Sequence, residues 1–106
     1  MLAWPAAAMS LTLCVLLWAH PGTEDALTTY EDAVLALVSQ HGGRVLQRAR
    51  SSGADEQPLE IQLLEFPSAE ALSDYMTDSR RTALADERDR AVARTQVISV
   101  ELIESR

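Results

Sequence analysis

The side chains of this chain best suited to moving a proton near neutral pH are its two histidines, His20 and His41. His41 closes an amphipathic segment and precedes Gly42-Gly43. It can act as a general base beside a pocket, or more commonly as a cation at the negative end of a helix. His20 follows Trp18 at the end of an apolar run, where it can face a ligand or, more commonly for a loop histidine, solvent. Arg44 follows the two glycines and can hold a carboxylate through two parallel hydrogen bonds, or form an intersubunit ion pair with an acid such as Glu65. Arg88 interrupts an apolar helix side, so it needs a partner, for which Glu65 is a candidate. Tyr30 and Tyr75 fall on the inner sides of two helices, where each can direct a hydroxyl at a ligand or sit in the core with that hydroxyl satisfied. Taken together, His41 and His20 are the candidate catalytic residues, and Trp18, Tyr30, Arg44, Tyr75 and Arg88 the candidate ligand-binding set. The chemistry they suit is acid-base work on a small, partly apolar, anionic molecule.

Other chemistries lack their signatures. The histidines and acids form no metal-ligand spacing such as HxxxH, and Gly42-Gly43 has neither the GxGxxG nor the GxxxxGK[ST] pattern of a phosphate loop. Cys14 has no activating neighbour, and as the single cysteine it cannot form an intramolecular disulfide; its flanks suggest a buried strand residue. No cofactor and no metal are expected. The formal net charge of −7 argues against nucleic acid as a partner. All nine basic residues are arginine, scattered among sixteen acids, and the run ADERDRAVAR reads as a solvated helix face.

The elements that must position these residues can be read in order. Ser10 to Ala19 has the β-branched and large apolar residues of a strand. The stretch before it is apolar, yet it lacks the positive start and small-x-small site of a signal peptide. Residues 1–9 are therefore read as an extension outside the fold, with Met9 a plausible natural start and residues 10–104 as one domain. A cytoplasmic location and no membrane contact are the corresponding expectations. Thr23 can cap a helix whose first turn holds Glu24 and Asp25, and Leu27, Tyr30, Val34, Leu37, Val38 and His41 recur at helical spacing. Gly42-Gly43 ends that helix, and a second strand runs from Arg44 to about Ala49. After the polar loop SSGADEQP, a third strand, Leu59 to Phe66, alternates Leu59, Ile61 and Leu63 with Glu60 and Gln62, then breaks the alternation at Leu64 and Phe66. Pro67-Ser68 starts the second helix, Thr77-Asp78-Ser79 marks a kink or restart, and Leu84, Arg88 and Ala91 point inward with an Asp86/Arg90 pair outside. Gln96 to Glu104 is the last strand.

The order βαββαβ is an α+β plait, a ferredoxin-like four-stranded antiparallel sheet with two helices on one face. A monomer of that design should have a polar second face. Here Leu11, Leu13, Val15 and Leu17 point one way on the first strand and Cys14, Leu16 and Trp18 the other, so both faces are apolar. Covering the second face should supply several kcal/mol at roughly 25 cal/mol per Å². A homodimer joined through the sheet face is the expectation.

The residues GGRVL after an amphipathic helix and LLEFPSAEAL at a strand-to-helix junction resemble the small bacterial domains of the dimeric α+β barrel superfamily, over about His41 to Val100. Relatives there include antibiotic-biosynthesis-type monooxygenases, muconolactone isomerase-like proteins and haem-degrading enzymes. The resemblance implies a ligand pocket between sheet and helices, and, for an enzyme, cofactor-independent oxygenation or isomerisation. At Thr82 the sequence departs from the family, which often carries tyrosine there. The alternative from another class is a non-catalytic ligand-binding or protein-interaction module.

Overall fold

The structure, a computed structural model, describes residues 10–103. Residues 1–9 and 104–106, and with them the expected N-terminal extension and the end of the last strand, lie outside the described residues. The elements are β1 (Leu11–Ala19), α1 (Glu24–Leu35), β2 (Arg44–Arg50), β3 (Glu60–Phe66), α2 (Ala69–Met76), α3 (Ser79–Thr82), α4 (Ala85–Ala91) and β4 (Val92–Val100). The sheet is antiparallel in the order β2-β3-β1-β4, the ferredoxin-like βαββαβ plait expected. The two apolar strands, β1 and β3, occupy its centre.

One face of the sheet carries the helices and the core. Leu13, Val15 and Leu17 of β1 and Leu64 and Phe66 of β3 meet Leu27, Val34 and Leu35 of α1 and Tyr75 of α2. On β3 this face also takes Glu60 and Gln62, both buried, so it is Ile61 and Leu63 that turn to the uncovered side. Cys14 likewise lies on the uncovered side and is half-buried, which corrects its expected burial.

The route from α1 into β2 is set by two glycines. The helix tightens into a short 3-10 turn, Val38–His41, rather than running as α-helix to His41. The Gly42 and Gly43 amides then donate to the carbonyls of Ser39 and Val38, both at 3.1 Å. Gly42 is left-handed at φ 73°, as a helix-terminating glycine should be. Gly43 is required for space: a Cβ there would lie 2.8 Å from the Glu65 carbonyl oxygen and 2.8 Å from Val38 Cγ1.

Several local expectations are corrected. The Thr23 hydroxyl makes no cap to α1; it lies 2.8 Å from the His20 carbonyl oxygen and 3.0 Å from that of Ala91, so it pins the β1–α1 loop to the end of α4. Arg90 lies 3.8 Å from Glu87, three residues away, instead of pairing with Asp86. The last strand begins at Val92, four residues before Gln96, because the helix stops at Ala91 and the chain extends at once. Ser68 does cap α2, accepting from the Ala71 amide at 3.1 Å, and the expected restart is real, with Asp78 capping α3 by accepting from the Arg80 amide at 2.9 Å.

Candidate functional site

Between the helices and the sheet lies a cavity of about 190 Å³. Its floor is Leu13, Val15 and Leu17 with Gln62, Leu64 and Phe66, and its roof is Tyr30, Glu31 and Val34 of α1 with Leu72, Tyr75 and Met76 of α2. Arg81 and Arg88 come in from α3 and α4, and Thr95 and Val97 from β4. Met76 and Val97 are among the most exposed of the lining residues, 46% and 55%, and mark where the cavity opens along the β4 edge. The break between α2 and α4 leaves that edge thinly covered, which is why β4 is buried at Val92 and exposed over most of its remaining length.

Several polar groups of the cavity are specifically held. Glu31 is buried at 5% exposure in the apolar stripe of α1. Its Oε1 accepts from Gln62 Nε2 at 2.7 Å, and Gln62 Nε2 also donates to Glu60 Oε2 at 2.9 Å. Since both partners are carboxylates, the Gln62 amide must present its nitrogen to them. Glu60 is in turn held by Arg48, at 2.7 and 3.2 Å, and Arg48 donates to Asp32 at 2.8 Å, so the chain of contacts runs from cavity to surface. Burial pushes the Glu31 carboxyl up from its ordinary value; the Gln62 hydrogen bond opposes this and the neighbouring Glu60 charge adds to it. Burial also raises both tyrosine hydroxyls, opposed at Tyr75 by a hydrogen bond with Arg81 and at both by the Arg81 charge. The Tyr75 hydroxyl donates to the Val34 carbonyl at 3.1 Å.

The raised Glu31 pKa has a consequence for stability. In the folded state Glu31 holds its proton to higher pH than in the unfolded chain, so folding is favoured below the unfolded value and that advantage is lost as pH rises through the folded one. Glu31→Gln keeps the shape and removes the titration. The stability of wild type relative to this variant is expected to fall as pH rises above about 4, the ordinary glutamate range. Urea midpoints at matched protein concentration from pH 4 to 8 measure it, and a difference that grows in the opposite direction contradicts the assignment.

The residues expected from sequence divide between four places. Tyr30, Tyr75 and Arg88 line the cavity together. Trp18 lies elsewhere, at the β1–α1 end of the sheet, under the Arg94 guanidinium at 4.3 Å and donating from Nε1 to the Glu56 carbonyl at 2.9 Å. His20 is in the loop at that same end, its backbone amide donating to the Ala91 carbonyl at 3.2 Å. His41 is near the other end, where Nε2 lies 2.8 Å from Asp78 Oδ2 and the ring meets the edge of Tyr75 at 6.1 Å. The strand register puts roughly a full strand, about 25–30 Å, between the two histidines, so they do not face one another. Asp78, hydrogen-bonded by Arg80 and His41, has its carboxyl held far below the usual range.

Arg44 is on the uncovered face at the β2 edge. It donates to Glu65 Oε1 at 3.0 and 2.6 Å within the same chain, because the two are register partners across β2 and β3. This corrects both the intersubunit pairing of Arg44 with Glu65 and the pairing of Arg88 with Glu65; the carboxylate near Arg88 is Asp89, at 3.9 Å. Sequence reasoning missed Glu31, Gln62 and Arg81. Glu31 follows Tyr30 and precedes Val34 on the stripe Leu27, Tyr30, Val34, Val38, and Gln62 shares the parity of Leu64 and Phe66, so both positions carried a burial signal in their spacing.

An antiparallel plait with its helices on one face and a cavity beneath them defines the ferredoxin-like class of α+β proteins. Within it, the chain belongs to the DUF1330 family, a domain of unknown function whose model matches residues 17–102. No protein of curated function matches it. Among solved structures it is similar to the RPA0582 protein of unknown function from Rhodopseudomonas palustris, at 16% identity and TM-score 0.73, over 92% of this chain and 85% of that one. A dimeric protein of unknown function with a ferredoxin-like fold from Bacteroides fragilis shares 14% identity at TM-score 0.65, over 88% and 96% of the two chains. A candidate antibiotic biosynthesis monooxygenase from Caulobacter crescentus shares 17% at TM-score 0.72, over 91% and 92%. These likenesses are in the fold. Among the described residues no helix is long and apolar enough to cross a membrane, and no cluster of three or more His, Cys, Asp or Glu could hold a metal ion.

Proposed function

We propose that this protein is a homodimer, joined through the uncovered sheet face, that binds a small apolar metabolite in the cavity between helices and sheet and moves a proton on it. The observation that carries this is the cavity itself: an apolar chamber in which one carboxyl, Glu31, is buried and held by a single amide hydrogen bond to Oε1. A carboxyl with a raised pKa in such a place is a stronger base, once ionised, than one in water. It can take a proton from a carbon next to a carbonyl. Returning the proton at another carbon completes an isomerisation, and reaction of the carbanion with dioxygen begins a cofactor-independent oxygenation; the name of the Caulobacter crescentus relative suggests a monooxygenase, without saying by what route. In this reading Glu31 takes the role first expected of His41 and His20, since neither histidine lines the cavity.

The test is a thermal-shift panel of single-ring aromatic and small ketone metabolites at millimolar concentration. Members that fit are expected to raise Tm, because a ligand of the native state stabilises it by mass action. Val97→Trp, which narrows the mouth at an exposed strand position, should abolish the shift. A panel without any shift, or shifts unchanged in the variant, sinks the reading. For a ligand with an acidic C–H, deuterium exchange catalysed by wild type and lost in Glu31→Gln separates catalysis from the binding-module alternative.

A further inference from the structure

Two tyrosines line the cavity, and the fold treats their hydroxyls differently. The Tyr75 hydroxyl donates to the Val34 carbonyl at 3.1 Å. The Tyr30 hydroxyl makes no hydrogen bond to the chain, although the residue is only 5% exposed. It is not sealed into the packing either. Among the described residues, the one side-chain polar atom both unpartnered and closed off from water is Arg81 Nε, so the Tyr30 hydroxyl can be reached by a molecule the size of water. Three of its charged neighbours, Arg81, Glu31 and Arg88, are themselves residues of the cavity wall, and the fourth is Asp89. Burial keeps the hydroxyl protonated through the neutral range, so it is available as a donor. A hydroxyl taken out of bulk water and left without a partner costs stability, and such a group calls for a partner that the fold itself does not supply.

Size and charge narrow what that partner is. A buried apolar cavity of about 150 Å³ takes up benzene, and this one is about 190 Å³. A single small ring fills it, and a molecule that fills it meets Tyr30 and Glu31 together. A ligand carboxylate would bring a second negative charge beside Glu31, whereas a carbonyl oxygen is neutral when it binds and gains charge only as a neighbouring proton leaves. We propose that Tyr30 is a catalytic residue of this site, donating its hydroxyl hydrogen bond to the carbonyl oxygen of a small enolisable ketone and stabilising the enolate formed when Glu31 takes the adjacent proton. In that step the C–H bond breaks, the proton passes to the Glu31 carboxylate, and the electron pair moves onto the carbonyl oxygen, while Tyr30 keeps its own proton. Return of the proton from Glu31 to the same or another carbon closes the cycle without a co-reactant. Arg81 and Arg88 add positive potential where the charge develops. This rests on the reading of the cavity as a proton-transfer site with Glu31 as its base.

Cyclohexanone and methylenecyclohexane share a shape and differ in the oxygen, so the pair isolates the hydroxyl. In NMR titrations of the full-length protein, Tyr30→Phe is expected to bind cyclohexanone about five- to tenfold more weakly than wild type, and methylenecyclohexane within about twofold of it. In D2O, exchange of the cyclohexanone hydrogens next to the carbonyl should be roughly 10²-fold slower in Tyr30→Phe, the scale of losing one donor to a developing oxyanion, and absent in Glu31→Gln. The fold supplies a third readout. Tyr30→Phe loses no hydrogen bond and should keep the wild-type Tm, whereas Tyr75→Phe loses the bond to Val34 and should fall by roughly 4–8 °C. A loss of Tm in Tyr30→Phe as large as in Tyr75→Phe means that the protein itself answers the hydroxyl, and overturns the proposal. Cyclohexanone affinity and exchange unaltered in Tyr30→Phe but exchange lost in Glu31→Gln overturns the role of Tyr30 and leaves Glu31 as the base. Binding without exchange by wild type, or no binding of either compound, overturns both.

Discussion

Phe66→Ala is expected to destabilise the fold by about 3–5 kcal/mol, the range for emptying a fully buried aromatic site. Phe66 has no exposure at all. Its ring centroid is 5.3 Å from that of Tyr75, and a Cβ on Gly43 would come within 3.0 Å of it, so it wedges β3 against both α2 and the turn that begins β2. No neighbour can move in to fill the space. Gly43 has no side chain, and Tyr75 is tied through its hydroxyl to the Val34 carbonyl. A domain of this size has only about 5–15 kcal/mol in total, so the variant should be largely unfolded at 37 °C or recoverable only at high protein concentration. Urea denaturation at fixed concentration measures the loss, and a value under about 1 kcal/mol would mean that the surrounding side chains repack far more freely than a close-packed core allows. Because Phe66 also lines the cavity, Phe66→Leu is the gentler probe of ligand size.

The same residue shows what could be read from sequence and what could not. The EFPS segment ends a strand and starts a helix through local chemistry: proline cannot continue the ladder, and the serine side chain caps the next helix. Gly42 behaves likewise, since a left-handed residue after a helix is a local demand. Such signals are legible because cause and effect lie within a few residues. The phase of β3 was harder. Leu59, Ile61 and Leu63 look like a core-facing set against Glu60 and Gln62, yet the helix side takes Glu60 and Gln62. What decides it is the non-local network Glu31–Gln62–Glu60–Arg48, which satisfies polar groups from α1, β3 and β2 at once and so makes their burial tolerable. The candidate site was missed for the same reason. Histidine and arginine attract attention by type, whereas Glu31 acquires its chemistry from burial, and burial of a charged residue is a property of the assembled fold. Tyr30, Tyr75 and Arg88 were found because their helical spacing already placed them inward.

Leu16→Arg is expected to convert the proposed dimer into a monomer without disturbing the core. The argument begins from the phase of the central strands. Leu13, Val15 and Leu17 fill the helix side of β1, which leaves Cys14, Leu16 and Trp18 outward. Leu16 is opposite Ile61 on β3 and Gln96 on β4, and Cys14 is opposite Leu63 and Ile98, so the outward apolar residues form one patch across the middle of the sheet. The polar groups lie at its margin, with the Arg44–Glu65 pair on the β2 side and Arg94 over Trp18 on the β4 side. An apolar centre with a charged rim is the layout of a protein interface. Burying about 800 Å² from each copy is typical of a stable pair, and a sheet face of four strands is large enough to supply it. A two-fold contact is self-complementary, so one substitution in the patch places two unpaired guanidinium groups in the interface. Light scattering behind size-exclusion at micromolar concentration should give a dimer for wild type and a monomer for the variant, a weakening of at least about 10³-fold in Kd, or roughly 4 kcal/mol. Circular dichroism of the variant should retain the α+β spectrum, because Leu16 is outside the core cluster. A wild type that is monomeric at those concentrations, or a variant that remains dimeric, removes the sheet face as the interface. The apolar patch would then need another occupant, since exposed contiguous apolar surface of this kind is rarely left to water.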